Sequence, residues 1–70
     1  MKEIKREIIR HIETFSEKND WKGEVNLISW NGAEPKIDIR NWNEDHTKCS
    51  KGLTFTEEEA RLLGEILIRI

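Results

Sequence analysis

The chain has 70 residues, 37% of them charged, a formal net charge of −2 and a single cysteine. A domain of this length buries only about 60% of the surface that its unfolded chain exposes, so we expect one domain, residues 1–70, with a thin core. Cys49 excludes an intrachain disulfide, which leaves a partner subunit or a metal as the added source of stability. The sequence has no run of about 18 apolar residues and no signal-peptide pattern, so we expect a soluble, cytoplasmic protein without a membrane partner.

The charge balance at first argues against a nucleic-acid partner, because 12 basic against 14 acidic residues differs from the basic surplus of many such proteins. The acidic excess, however, lies entirely in residues 52–70, which hold two arginines and four glutamates. Residues 1–51 are balanced, and they present a basic face if alternating positions separate the two signs.

Residues 2–18 fit two structures. Their apolar residues are spaced as on one side of a helix, and most of them also share one face of a strand. These residues are Ile4, Ile8, Ile12 and Phe15. Taken alone, local propensity favours the helix.

Residues 24–30 are rich in β-forming residues and predict a strand. Asn19-Asp20 and Gly23 predict a break on either side of Trp21. Residues 31–35 predict a turn, because their Asn-Gly pair is a strong hairpin signal.

Residues 36–42 predict a second strand with two different faces. Ile37 and Ile39 point to one side, and the other side carries Lys36, Asp38, Arg40 and Trp42. A polar loop, residues 43–50, and a short strand within residues 51–56 follow.

The last element, residues 56–70, is a helix that opens with a capping box formed by Thr56 and Glu59. Its apolar positions spread over more than the single stripe that one sheet would cover. We therefore expect the same helix of a second copy to pack against it about a two-fold axis. The expected dimer contacts are Leu63, Ile66, Leu67 and Ile70.

An aromatic residue among cations on the outer side of a one-helix sheet points to a ligand. Trp42 shares its face with Lys36 and Arg40, and single-stranded nucleic acids are bound by cations at phosphates and by aromatic rings at bases. The alternative is that Trp42 and Trp30 border the core and that the cations are an ordinary solvated face.

Further basic residues extend this candidate surface. Lys48 and Lys51 flank the loop before the last strand, and Gly52 allows close approach to a ligand. Arg6, Arg10 and Lys22 are additional candidates whose facing depends on the structure of the N-terminal segment.

Metal binding and catalysis are not expected. His46 and Cys49 form an H-x-x-C spacing, but structural zinc needs four ligands and the chain has no second cysteine. Nothing near them supplies the oxyanion donors of nucleophilic catalysis, and a chain this short has little volume to enclose a substrate. We expect no cofactor and no small-molecule substrate.

Two long runs of the sequence resemble the C-terminal domain of the transcriptional positive cofactor four family, most closely its short bacterial YdbC-type members. The runs are SWNGAEPKIDIRNW at 29–42 and DHTKCSKGLTFTEEE at 45–59. The likeness extends to EII at 7–9 and FSE at 15–17, so it covers nearly the whole chain.

The resemblance implies an α+β fold, a four-stranded curved antiparallel sheet followed by a C-terminal helix (ββββα), that dimerises through the helices. It makes the N-terminal segment a long first strand and lays single-stranded DNA across the sheet. By position, Arg40 and Trp42 become the central contacts, Lys48 and Lys51 the phosphate contacts, and Trp30 a second stacking residue. Glu34 and Pro35 stand where eukaryotic members carry extra lysines, which should lower affinity.

The leading hypothesis is therefore a non-enzymatic, homodimeric protein that prefers single-stranded DNA, reads little sequence, and resembles a transcriptional coactivator. Duplex DNA or RNA is expected to bind more weakly, and a bacterial protein of this kind would be nucleoid-associated. The alternative is a protein-interaction module whose exposed tryptophans form the contact surface.

Overall fold

A computed structural model describes residues 5–70 of the chain. It contains four strands and one helix: β1 (Arg6–Lys18), β2 (Trp21–Trp30), β3 (Lys36–Asn43), β4 (Leu53–Phe55) and α1 (Glu57–Ile68). The strands form one antiparallel sheet in the order β1-β2-β3-β4. The predicted ββββα arrangement is confirmed.

Strand β1 is irregular, and two of its irregularities coincide with Ile12 and Phe15 of the misleading sequence pattern. Three register shifts against β2 leave Ile9, Ile12 and Phe15 without a cross-strand partner. Such bulges bend a strand and increase its twist, and here they recur every three residues, close to the period of a helix. The helix favoured by local propensity is wrong, and the long strand implied by the resemblance is confirmed. Ile4, which belonged to that pattern, lies outside the described residues.

The first two hairpins each begin their turn with two consecutive residues of positive φ. Asn19 and Asp20 have φ of 51° and 67°, and Asn31 and Gly32 have φ of 52° and 76°. This backbone matches the right-handed twist of paired strands, which confirms both predicted turns.

The break expected at Gly23 is wrong, because that residue lies inside β2. A side chain there would collide with the ring of Phe15 and the Ser16 hydroxyl, so glycine makes room for bulged β1. Packing between strands outweighs the usual turn preference of glycine at this position.

The sheet has two faces that differ in burial. The Trp42 face carries Lys22, Glu24, Asn26 and Ile28 of β2 and Lys36, Asp38, Arg40 and Trp42 of β3. The Ile37 face carries Val25, Leu27, Ile37, Ile39 and, from β4, Phe55.

The better-buried face is the opposite of the one expected. Trp42 and Ile28 are 0% exposed, and Asn26 and Asp38 are fully buried beside them, whereas Ile37 and Ile39 are only half-buried. Within residues 5–70, the helix contacts only β3 and β4, and its first residue, Glu57, lines a cavity with Ile37 and Leu27 of the Ile37 face.

Helix α1 begins where the capping box predicts. The Thr56 hydroxyl accepts a hydrogen bond from Glu59 N, and the Glu59 carboxylate accepts one from Thr56 N. The helix ends at Ile68, two residues earlier than expected. None of its residues is buried, and Leu67 remains 53% exposed. Within residues 5–70, no helix has both the length and the apolar character that crossing a membrane requires.

Candidate nucleic-acid interface

The side chain of Trp42 is fully buried and is not exposed to solvent on the Trp42 face. The guanidinium carbon of Arg6 lies 5.2 Å from the centre of the indole ring, and the His46 ring is tilted against it at 5.4 Å. The expectation of an exposed Trp42 is therefore wrong. Its stacking surfaces are already occupied by a cation and an imidazole, two groups that interact favourably with an aromatic face.

Arg6 joins the first strand to the loop before β4. Its Nη2 donates to the main-chain oxygens of His46 at 3.3 Å and Thr47 at 3.0 Å. The same guanidinium lies over Trp42, so it holds strand, loop and indole together. Arg6 was only an additional candidate in the sequence, and the structure places its guanidinium over the Trp42 ring.

Trp30 is half-buried, and its ring is paired with the guanidinium of Arg40 at 4.7 Å. Arg40 Nε donates to Asp38 Oδ1 at 2.6 Å, and Nη2 donates to Asp38 Oδ2 at 2.7 Å. Asp38 also accepts from the Thr54 hydroxyl at 3.0 Å. The guanidinium is thus held in one orientation by two parallel hydrogen bonds and one ring.

Gly52 makes this arrangement possible. A side chain there would collide with the Ile39 main-chain oxygen and with the Arg40 side chain. The predicted close approach to the Gly52 backbone occurs, but within residues 5–70 the group that approaches is the Arg40 side chain and not a ligand.

Burial and pairing act in opposite directions on Arg40. Burial alone would lower the pKa of its guanidinium, but the hydrogen bonds and charge of Asp38 outweigh burial and raise the pKa above the usual value. Because Asp38 neutralises this cation, Arg40 contributes packing to the face but little net positive charge.

The indole nitrogens of both tryptophans on this face share an unusual feature. Nε1 of Trp30 and Nε1 of Trp42 are buried and find no hydrogen-bond acceptor within residues 5–70. A buried donor without an acceptor costs about 1–3 kcal/mol. The face therefore retains polar groups that an acceptor would satisfy.

Glu24 forms the centre of a polar cluster on the same face. Its carboxylate accepts from Asn26 Nδ2 at 3.0 Å and faces His46 Nε2 at 3.0 and 3.1 Å. His11 Nδ1 lies 3.6 Å from Glu24 Oε1 and 2.7 Å from Asn26 Oδ1. Burial raises the pKa of Glu24, but the hydrogen bonds from Asn26 and His46 and the nearby histidines outweigh burial and lower it.

Four of the predicted basic residues are Lys22 and Lys36, which belong to the Trp42 face by strand register, and Lys48 and Lys51, which lie in the segment before β4. Lys36 is exposed, and Lys22 is half-buried opposite Trp42 in the strand register. Lys48 and Lys51 are exposed in the segment before β4. These side chains, unlike Arg40, have no acidic partner within ion-pair distance among residues 5–70.

Arg10 does not join them. It is opposite Leu27 in the register and lines a small cavity of about 180 Å³ with Ile37 and Glu57, on the Ile37 face. The bulge after Ile8 reverses its facing relative to Arg6, and no sequence signal marked that bulge.

Three residues of this face were not recognised from the sequence: Glu24, Asn26 and His11. The alternation of β2 contains the signal for the first two, because they share a face with Trp30. His11 could not be placed, because its facing depends on the bulges of β1.

His46 and Cys49, which form the H-x-x-C spacing in the sequence, contact different residues. His46 faces Glu24, and Cys49 Sγ lies 4.0 Å from Arg40 Nη1. Among residues 5–70, no group of three or more histidine, cysteine, aspartate or glutamate side chains is arranged so that it could hold a metal ion.

Comparison with known proteins identifies the family. Residues 17–66 match the model of the family described as Transcriptional Coactivator p15 (PC4), a family of nucleic-acid-binding, non-enzymatic proteins. An uncharacterized protein of Treponema pallidum (strain Nichols) is 42% identical over 62 residues, which cover 87% of this chain and 73% of that protein. The family match spans β2, β3, β4 and most of α1. The chain belongs to the transcriptional coactivator p15 (PC4) family.

Proposed function

We propose that this protein binds single-stranded DNA across the Trp42 face, with little sequence specificity, in a coactivator-like role. The observation that carries the proposal is that Trp30, Lys22 and Lys36 share one face of the sheet in a member of a nucleic-acid-binding family. Lysines that lack acidic partners bind phosphates and release counterions, and aromatic rings stack on bases of any sequence.

The two tryptophans of the face have different roles in this proposal. Trp30 is half-buried and stacks on a base, while Arg40 supports its ring from one side. Trp42 is fully buried and supports the surface indirectly, because its ring contacts Arg6 and His46 and holds both in place. Phosphates are bound by exposed lysines at the edge of the face: Lys36, Lys48 and Lys51, with Lys22 nearby.

The proposal includes a homodimer formed through the helices. Five large apolar side chains of the C-terminal segment are at least half-exposed: Leu62, Ile66, Leu67, Ile68 and Ile70. A second copy packed about a two-fold axis would bury these side chains together with the uncovered part of the Ile37 face. Residues 1–70 act as one domain in this arrangement.

Titration of a labelled oligo-dT strand, followed by fluorescence anisotropy in a salt series, tests the binding proposal. We expect tight binding at low salt that weakens linearly in the logarithm of salt concentration. Duplex DNA and RNA of equal length should bind more weakly. Absence of any anisotropy change at low salt would refute the proposal.

Substitution of Trp30 tests its role. Trp30→Ala should cost about 1–3 kcal/mol of binding free energy, since one stacked base is lost. Trp21→Ala is the matched control, because Trp21 is 38% exposed and belongs to the Ile37 face by strand alternation. Equal losses in the two variants would contradict the assignment of the binding face.

Sedimentation equilibrium tests the dimer. The wild type should sediment with twice the monomer mass of 8.3 kDa, and Leu67→Asp should shift the protein to monomer because an unpaired buried charge is costly. A monomeric wild type at micromolar concentration would remove the homodimer from the proposal.

The alternative, a protein-interaction module built on exposed tryptophans, loses most of its premise. Of the three tryptophans, Trp42 is buried and Trp30 half-buried, so only Trp21 is exposed. A salt-insensitive interaction with a protein partner would favour this alternative.

A further inference from the structure

The cluster around Glu24 opens into a shallow cavity on the Trp42 face. The cavity has a volume of about 300 Å³ and is lined by Ile8, His11, Thr14, Lys22, Glu24, Asn26 and His46. Most of these side chains offer hydrogen-bond donors, while one buried carboxylate forms the floor. Lys22 lines the cavity and lies opposite Trp42 in the strand register, so the cavity belongs to the face that we propose to bind DNA.

Hydrogen bonding assigns one proton to each imidazole and directs it into the cluster. A carboxylate only accepts, so Nε2 of His46, at 3.0 Å from Glu24, carries a proton. Asn26 donates through Nδ2 to Glu24, so its Oδ1 accepts from His11 Nδ1 at 2.7 Å. The other nitrogens, Nδ1 of His46 and Nε2 of His11 beside the Thr14 hydroxyl, remain available for a second proton.

The charge of the cluster depends on these second protons. With both imidazoles neutral, Glu24 gives the cluster a charge of −1, which repels a phosphate. One added proton brings the charge to 0, and two bring it to +1. Histidine is the side chain that ordinarily changes charge between about pH 5 and pH 8.

The surrounding charged groups do not compensate for this change. On β3, Arg40 and Asp38 neutralise each other. On β2, Lys22 borders the cavity, and among residues 5–70 it has no acidic partner within ion-pair distance. Arg6 of β1 uses its guanidinium on two main-chain oxygens and on Trp42.

We propose that His11 and His46 form a phosphate-binding subsite of the Trp42 face that is switched on by protonation, with Glu24 orienting both imidazoles. The ligand is a phosphodiester group of the bound strand. Each added proton brings one positive charge to the cavity lining; on His46 it makes Nδ1 an additional donor, and on His11 it lies on Nε2, 3.2 Å from the Thr14 hydroxyl. This subsite rests on the proposed function and adds acid-dependent affinity to it.

The test measures the affinity of the full chain for oligo-dT at about pH 8 and about pH 6, at constant ionic strength. Thymine is chosen because, unlike cytosine and adenine, it does not become protonated in mild acid. We expect the wild type to bind roughly three- to tenfold more tightly at the lower pH, since the cluster gains up to two positive charges.

Two variants isolate the cluster. The chain contains only 2 histidines, so His11→Gln/His46→Gln removes every imidazole and should reduce the pH effect to less than about twofold. Glu24→Gln removes the negative charge and should bind more tightly than the wild type at the higher pH. Circular dichroism at both pH values establishes that each variant is folded.

His11→Gln alone provides a second route if the double variant does not fold. The His11 side chain is 49% exposed, so its replacement disturbs little packing and should remove part of the pH effect. Binding at both pH values with the same ratio in wild type and variants would overturn the subsite and leave the proposed function intact. No binding at either pH would instead overturn the proposed function.

Discussion

Asp38 and Arg40, two residues apart on β3, form a two-point ion pair on the Trp42 face. The carboxylate accepts from Nε at 2.6 Å and from Nη2 at 2.7 Å, and its side chain is 0% exposed. The guanidinium, 4.7 Å from the Trp30 ring, is therefore part of the scaffold under the proposed binding surface. The contact of Arg40 with DNA that the resemblance implies stays a prediction, since its guanidinium is paired with Asp38 in this geometry.

Arg40→Ala should be strongly destabilising. The substitution leaves the buried Asp38 carboxylate without its partner, which typically costs about 3–5 kcal/mol of unfolding free energy. Urea unfolding measures the change. Arg61→Ala is the control, because Arg61 and Glu57 form an exposed pair whose loss should cost less than about 1 kcal/mol. Equal losses would show that Arg40 is not structural.

The exposed lysines should determine the salt dependence of DNA binding. Single substitutions Lys36→Ala, Lys48→Ala and Lys51→Ala should each reduce the slope of log affinity against log salt by about 0.7, the value for one phosphate of a single strand. Arg10→Ala should leave the slope unchanged, because Arg10 belongs to the Ile37 face. If Arg10→Ala reduced the slope of log affinity against log salt more than the lysine variants do, the DNA would bind the Ile37 face and not the Trp42 face.

Removal of the capping box should weaken the helix without touching the Trp42 face. Thr56→Ala loses the hydroxyl that accepts from Glu59 N and should cost about 1 kcal/mol of unfolding free energy. Glu59→Gln should be nearly neutral, since glutamine also completes a capping box. Thermal unfolding by circular dichroism compares them, and an unchanged midpoint in Thr56→Ala would count against the cap.

Glu24 should make stability depend on acid. Its pKa is lowered in the folded protein, so its ionised form contributes stability above the ordinary value of 4.5, and this stability is lost as pH falls through the lowered pKa. Urea midpoints should therefore fall more steeply in the wild type than in Glu24→Gln below pH 4.5. Glu34→Gln, an exposed turn residue, should follow the wild type. Identical acid profiles for all three proteins would contradict this role.

Several elements were predictable because their signals are local. The capping box around Thr56 and the Asn-Gly turn at Asn31 each depend on residues within a few positions, and both occur as predicted. The period-two alternation of β3 also separated Ile37 from Asp38, Arg40 and Trp42 correctly. The long first strand required the resemblance, because its spacing alone favoured a helix.

Burial and pairing could not be predicted in the same way. Alternation assigns Trp42 to a face but does not show that Arg6, 36 positions earlier, covers it, or that Asp38 neutralises Arg40. The facing of Arg10 and His11 follows from bulges whose positions depend on packing against β2, such as the space that Gly23 leaves for Phe15.

The sequence by itself determined the turns, the helix cap and the two faces of β2 and β3, because these depend on backbone propensity and side-chain period. The tertiary structure alone decided which cations are free and which are paired, and which tryptophan is buried. Those properties depend on contacts between segments that are distant in sequence. The three bulges of β1 shift its register against β2, so these contacts cannot be predicted from residue spacing.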